Sequence, residues 1–151
     1  MKIQFDILTK TRAIVLHYIS ELSLDQMHVI PKGFNNHIAW NIAHLVVTQQ
    51  LLHYKLSVKD CLVSDNLITA YKKGTKPSIA FSQEEFDEVI TLFKGLPKTL
   101  EEDYESSIFS EYSSYKTSTG FVIDTMEKAI IFNNFHESLH LGVIMSLRKL
   151  V

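Results

Sequence analysis

Apolar residues recur at steps of three and four along most of this chain, which is the spacing of one face of an α-helix. Four long stretches show the pattern: roughly Phe5–Leu22, Asn36–Leu56, a stretch that begins at Ser82, and a stretch from Asp124 to about Leu150. Four such stripes can be buried together when the helices turn them inward. The pattern therefore predicts an all-α fold, a four-helix bundle that occupies residues 1–151 as one domain.

Local signals predict where two of the long helices begin and where one is interrupted. Ser82-Gln-Glu-Glu85 and Asp124-Thr-Met-Glu127 each have the form of a capping box, in which the first and fourth residues satisfy each other's backbone amides. Pro97 lies inside the third stretch and lacks the amide hydrogen that a helix interior needs. We therefore expect Pro97 to kink the third helix or to end it near Gly95.

Two connecting segments are long enough to carry structure of their own. Residues 57–80 form a long crossover connection, longer than most loops in compact domains, and we expect a short helix in it near Leu67–Tyr71. The segment before the last helix is rich in Ser, Thr and Tyr. Residues 108–112 and 115–118 within it are expected to pair as a small hairpin.

Composition narrows the class of protein. The formal net charge is −2 and the basic residues are not clustered on one stretch, so we expect no nucleic-acid partner. Cys61 is the single cysteine, which excludes an intrachain disulfide, and we expect it to pack as a small apolar residue. The N-terminal residues lack the apolar pattern of a secretory signal peptide, and no apolar run approaches about 18 residues, so we expect a cytoplasmic protein without a signal peptide or a membrane segment.

The two histidines of His136-Glu-Ser-Leu-His140 are the strongest chemical signal in the chain. Four residues of helix place His136 and His140 on one face, one turn apart, on a stripe that is otherwise apolar. Two imidazoles in such a place need partners for their nitrogen atoms. They are either core side chains bonded to neighbouring carbonyl or hydroxyl groups, or two ligands of one metal ion.

A third ligand would have to come from another helix, and the second long helix offers three histidines. His44 lies in its most apolar part, whereas His37 is at the entrance of the helix. His53 follows a polar Thr-Gln-Gln segment, and we expect it to be exposed. Residue types and spacing leave open whether His44 is the third ligand.

Four residues near these histidines have simple expected roles. Trp40, one turn before His44, is expected to pack in the core or to form a wall of a metal pocket. Glu137 is expected to face solvent, and Asn133 is the better candidate to orient an imidazole. Gly142 is expected to allow close approach of another helix, since glycine costs about 1 kcal/mol in a helix interior.

Three segments resemble the DinB-like superfamily of metal-binding four-helix bundles, which includes the YfiT-type and bacillithiol-transferase-type proteins. The segments are Leu24-Asp-Gln-Met continuing to Asn36-His-Ile-Ala-Trp40-Asn-Ile-Ala-His44, Gly120-Phe-Val-Ile-Asp-Thr-Met-Glu-Lys-Ala129, and His136-Glu-Ser-Leu-His140-Leu-Gly. The resemblance implies a three-histidine metal site at His44, His136 and His140. It also implies a divalent ion such as Ni, Zn, Fe or Mn, with at least one coordination position left for water or substrate.

The resemblance implies two reaction types for such a centre. One is hydrolysis, and the other is transfer of a low-molecular-weight thiol cosubstrate to an electrophilic small-molecule substrate. It also implies a homodimer. The alternative is a metal-binding or dimeric interaction bundle without catalysis, and the sequence identifies no separate general base.

Overall fold

The computed structural model describes residues 1–151 and is mostly helical, which confirms the predicted all-α fold. Its helices are α1 (Lys2–Ile19), α2 (Leu24–Met27), α3 (Ile38–His53), α4 (Asp65–Tyr71), α5 (Gln83–Glu105) and α6 (Met126–Leu147), with 3₁₀ turns at Lys55–Ser57 and Arg148–Leu150. Strands β1 (Tyr115–Lys116) and β2 (Val122–Ile123) form one antiparallel hairpin. None of the helices combines the length and the apolar character that a bilayer span requires.

The four long helices form the bundle. Both α1 and α3 pack against α5 and against α6, so α1 and α3 lie diagonally opposite each other. The long crossover, which contains α4, joins the adjacent helices α3 and α5. The predicted short helix in this crossover is confirmed at Asp65–Tyr71.

The helix starts follow local capping chemistry, with one correction. At α5 the predicted capping box is present: Ser82 Oγ accepts from the Glu85 amide at 3.2 Å, and Glu85 Oε2 accepts from the Ser82 amide at 2.8 Å. At α6 the predicted box is wrong by one residue. Thr125 is the cap and accepts from the amide of Lys128, and the Lys128 ammonium pairs with Asp124 at 2.6 Å.

Pro97 does not end α5, which continues unbroken to Glu105, so the prediction of a helix end near Gly95 is wrong. A proline cannot donate to the carbonyl four residues earlier, here that of Phe93. The structure supplies another donor, because Arg12 Nη1 donates to the Phe93 carbonyl at 2.9 Å. The Arg12 side chain from α1 therefore donates the hydrogen bond to the Phe93 carbonyl that the proline cannot donate.

The bundle contains a buried polar layer centred on Arg12, which is 2% exposed, and Glu137, which is fully buried. Arg12 Nη2 lies 2.7 Å from Glu137 Oε1 and also donates to Gln49 Oε1 at 3.0 Å. Gln49 Nε2 donates to the Leu96 carbonyl, and Asn133 Nδ2 donates to Glu137 Oε1. All four long helices contribute to the layer, and the expectation that Glu137 faces solvent is wrong.

The polar layer lies between two apolar clusters. Each long helix contributes to both of them. One cluster includes Val15, Ile42, Phe93, Ile144 and Leu147, and the other includes Leu8, Leu52, Leu100, Ala129 and Ile130. Along each helix, the residues of the layer fall at or next to the boundary between the two clusters.

The hairpin before α6 is not the predicted one. Tyr115 pairs with Ile123 and Lys116 with Val122, whereas residues 108–112 form no strand. That earlier segment is instead held against the end of α3. The Tyr112 hydroxyl donates to the Leu52 carbonyl at 2.9 Å, and the amide of Ser113 donates to the carbonyl of Leu56.

His53 belongs to the buried interior and not to the surface, so its expected exposure is wrong. Its Nδ1–H donates to the Gln49 carbonyl at 2.7 Å, and its Nε2 is buried without a partner. Burial lowers the pKa of His53 from 6.5 to about 4, because the charged imidazolium would lose its hydration there.

The Arg12–Glu137 pair should dominate the stability of the bundle. Arg12→Met leaves the Glu137 carboxylate buried without its cation, and we expect the free energy of unfolding to fall by about 3–5 kcal/mol in urea denaturation. Lys10→Met on the same helix is the control, since the Lys10–Asp6 pair is exposed and is worth less than about 1 kcal/mol. Equal losses in the two variants would contradict this assignment.

His53 should make stability depend on pH in a defined window. Between pH 6.5 and about 4 the imidazole of His53 is protonated in the unfolded chain and neutral in the folded one. The free energy of unfolding therefore falls as the pH falls through this range. His53→Gln should remove up to about 1.4 kcal/mol per pH unit from that slope, measured by urea denaturation at a series of pH values. The exposed variant His17→Gln should keep the wild-type slope, and an unchanged slope in His53→Gln would refute the prediction.

Candidate metal centre

Three histidines from two helices converge at one point of the bundle. His44 comes from α3, and His136 and His140 come from successive turns of α6, which packs against α3. Each histidine offers one ring nitrogen to a cluster in which these atoms all lie within 4.8 Å of one another. Nitrogens that share one ion lie about 3–4 Å apart, so small ring movements would complete the set.

Hydrogen bonds set the orientation of two of the three rings. His44 Nδ1 lies 2.7 Å from the Tyr71 carbonyl, and His140 Nδ1 lies 2.7 Å from Asn41 Oδ1. Both partners are carbonyl oxygens, which only accept, so Nδ1 carries the proton in each ring and Nε2 keeps its lone pair. A ring held in this way by an outer carbonyl is the usual arrangement of a metal-binding histidine.

The third ring has an unsatisfied nitrogen. His136 Nδ1 is buried and has no hydrogen-bond partner in the protein. A buried polar atom without a partner is uncommon in folded proteins and is costly. The protein therefore leaves one nitrogen of this clustered histidine without a partner, unlike the Nδ1 atoms of His44 and His140.

The electrostatics of the cluster favour the form of histidine that binds metals. Burial lowers the pKa of His136 to about 3 and that of His140 to about 4, and neighbouring histidines lower both further. Burial also lowers the pKa of His44, against the effect of its bond to Tyr71. The three rings are therefore neutral at pH 7, and neutral imidazole is the ligand form.

Aromatic rings support two of the histidines from the side. The Trp40 ring stacks on His44 with 4.7 Å between centroids and 10° between planes. The Phe132 ring stacks on His136 at 6.4 Å and 24°. Trp40 is therefore a core residue that packs on the His44 ring, and it does not line the cavity at the histidines.

The roles expected for Asn133 and Gly142 are wrong. Asn133 bonds to Glu137 and makes no bond to an imidazole, so it belongs to the polar layer. At Gly142 an added Cβ would meet nothing within 4 Å, so no helix of this chain approaches it closely. The residues that do orient the rings are Asn41 and Tyr71.

The three rings open into a cavity of about 480 Å³, which we call the histidine cavity. His44 is buried, whereas His136 and His140 are half-buried and reach the solvent side. An apolar wall is formed by Leu51, Leu52, Leu56, Phe132, Phe135 and Leu139. No aspartate or glutamate lines this cavity. Small molecules can therefore reach the histidines across a largely apolar surface.

The remaining histidines and the cysteine have other roles. His37 caps α3, because its Nδ1 accepts from the Trp40 amide at 2.9 Å, and His28 Nε2 accepts from the Phe81 amide. Cys61 is half-buried, and burial raises the pKa of its thiol, which argues against a reactive thiolate.

Comparison with known proteins agrees with this architecture. No curated protein sequence matches the chain. The DinB superfamily model matches residues 7–144, a range that extends from α1 into the last turn of α6 and includes all three clustered histidines. The chain belongs to the DinB superfamily.

Proposed function

We propose that this protein is a metal-dependent enzyme that transfers a low-molecular-weight thiol to an electrophilic small molecule. His44, His136 and His140 would hold one divalent ion. The observation that carries the proposal is the histidine cavity, where three neutral imidazoles, two of them oriented by hydrogen bonds, meet a space that a small molecule can enter. A purely structural metal would instead call for a closed set of four ligands.

The lining of the cavity favours thiol transfer over hydrolysis. Many metal-dependent hydrolases place a carboxylate beside the ion to take a proton from water. The histidine cavity has no aspartate or glutamate in that position, and Glu137 is turned away into the polar layer. A bound cation lowers the pKa of a thiol directly, so a thiol nucleophile needs no separate general base.

The chain's own residues would bind and orient the reactants. Asn41 and the Tyr71 carbonyl hold two rings in place, and the apolar wall with Phe132 and Phe135 would exclude water from an electrophile. The donor set does not choose among Ni, Zn, Fe and Mn, because imidazole binds all of them and their availability in the cell decides.

Removing the histidines should abolish metal binding and activity together. We expect His44→Ala, His136→Ala and His140→Ala each to lose Ni²⁺ or Zn²⁺ uptake in calorimetric titration of untagged protein. Each should also lower conjugation of thiols to a chromogenic aryl halide by at least about 100-fold, since a bound ion would lower the pKa of the thiol nucleophile. His17→Ala, at an exposed position outside the cavity, is the control.

The result that would refute the proposal is retention of both metal content and activity in all three variants. Metal uptake without thiol conjugation, but with ester or amide hydrolysis, would replace transfer by hydrolysis. Metal uptake without either activity would support the non-catalytic alternative.

We also propose that the protein is a homodimer. A row of apolar side chains at steps of four residues lies exposed along α6: Ile131, Phe135, Leu139 and Val143. A contiguous exposed apolar row on one helix is typical of a protein–protein contact, and a second copy of the chain is the partner always present.

A charge placed in this row should weaken the dimer. We expect Ile131→Asp to shift the mass measured by light scattering from dimer toward monomer, because the carboxylate would be buried in the contact. Ile79→Asp is the matched control, as Ile79 is exposed in the crossover and outside the row. A monomeric wild-type protein, or a dimer that Ile131→Asp leaves intact, would exclude this interface.

A further inference from the structure

The histidine cavity is positively charged apart from any metal ion. Its charged lining residues are Lys55 and Lys73, together with no acidic residue. Two other concave surfaces of the molecule differ in this respect. The groove between the crossover and α5 combines Lys76 with Glu85 and Glu88, and a shallow site on α5 is lined mainly by acidic residues. A third, beside the hairpin, also has a lysine and no carboxylate, but its Lys128 pairs with Asp124 outside the cavity. The histidine cavity differs from all three because it combines two lysines that have no acidic partner.

Neither lysine of the cavity is neutralised within the protein. No carboxylate lies within 4.0 Å of the ammonium group of Lys55 or of Lys73, whereas Lys10, Lys98 and Lys128 each pair with an acidic residue one turn away. The two lysines also come from different segments. Lys55 belongs to the 3₁₀ turn that follows α3, and Lys73 follows α4 in the crossover. The fold therefore brings two unpaired cations to one cavity from separate parts of the chain.

The rest of the lining suits an amphiphilic molecule. The leucines and phenylalanines of the apolar wall line the same cavity as the histidines. The hairpin turn adds the hydroxyls of Thr117, Ser118 and Thr119 to this lining. Thr117 and Thr119 bond to each other at 3.0 Å, which leaves the Ser118 hydroxyl without a side-chain partner. Apolar surface, two cations and a hydroxyl together match an organic anion with a short apolar body.

We infer that the molecule bound in the histidine cavity carries an oxyanion, such as a carboxylate, which Lys55 and Lys73 bind while its apolar part lies on the leucine and phenylalanine wall. This inference deepens the proposed function and rests on it in taking the cavity as the substrate site. It adds the chemical class of the substrate or thiol cosubstrate. Both lysines are exposed, so a neutral molecule of the same shape would gain nothing from them, whereas an oxyanion would gain a charge pair with each.

The inference can be tested by binding, without an activity assay. Hexanoate and hexanamide have the same length and differ in charge, and each would be titrated into the protein with Zn²⁺ and again after chelation. Amide correlation NMR spectra give the Kd values and show which residues move. We expect hexanoate to bind more tightly than hexanamide, with shifts at residues of the histidine cavity, and to weaken as salt is raised.

Two double variants separate the cavity lysines from general surface charge. Lys55→Gln with Lys73→Gln should weaken hexanoate binding between about five- and twenty-five-fold, since each exposed charge pair is worth up to about fivefold. It should leave hexanamide binding unchanged. Lys59→Gln with Lys72→Gln removes two neighbouring exposed lysines that do not line the cavity, and it should retain wild-type binding.

Three outcomes in the chelated protein, where no ion can bind the carboxylate, would overturn the inference: no hexanoate binding in the millimolar range, equal binding of the two probes, or a preference for hexanoate that survives loss of Lys55 and Lys73. Failure of the proposed function has a different signature. In that case Zn²⁺ uptake is absent. Hexanoate binding to the chelated protein, and its dependence on Lys55 and Lys73, still tests whether the cavity binds an anion.

Discussion

The buried ion pair between Arg12 and Glu137 is the constraint on which the rest of this bundle depends. Two charges removed from water must meet each other and satisfy their remaining donors and acceptors, or the fold loses several kcal/mol. Here Arg12 contacts α6 through Glu137, α3 through Gln49 and α5 through the Phe93 carbonyl. One side chain on α1 thereby fixes the register of the other three long helices, which apolar packing alone specifies less strictly.

The geometry of the histidine cluster depends on this layer. Glu137 directly follows His136, and Gln49 lies little more than one turn after His44, so the helix positions that hold the layer also hold the three histidines. Pro97 takes part as well, because its missing amide frees the Phe93 carbonyl for Arg12. The same helix registers therefore stabilise the bundle through its polar layer and bring the three histidines together.

The long helices and the cap of α5 were predictable from local sequence, whereas the start of α6, the hairpin and the polar partners from distant helices were not. Helical periodicity indicates the four long helices, and the spacing of His136 and His140, with the family resemblance, indicates the cluster with His44. Glu137 looked exposed because its partner Arg12 stands 125 residues away. A hint existed, since Arg12 follows Leu8 by one turn on the buried stripe of α1. Backbone partners such as the Tyr71 carbonyl have no sequence signal.

That carbonyl has a consequence for how the chain can vary. The group that orients His44 is a main-chain oxygen, which every amino acid at position 71 would supply. Substitutions there change the stacking of the Tyr71 ring on Phe81 but keep the acceptor itself. An insertion or deletion between α3 and the end of α4 would instead move the oxygen away from the ring. The side chain at position 71 can therefore change without loss of the acceptor. The length of the segment between α3 and this position cannot change without moving the carbonyl that orients His44.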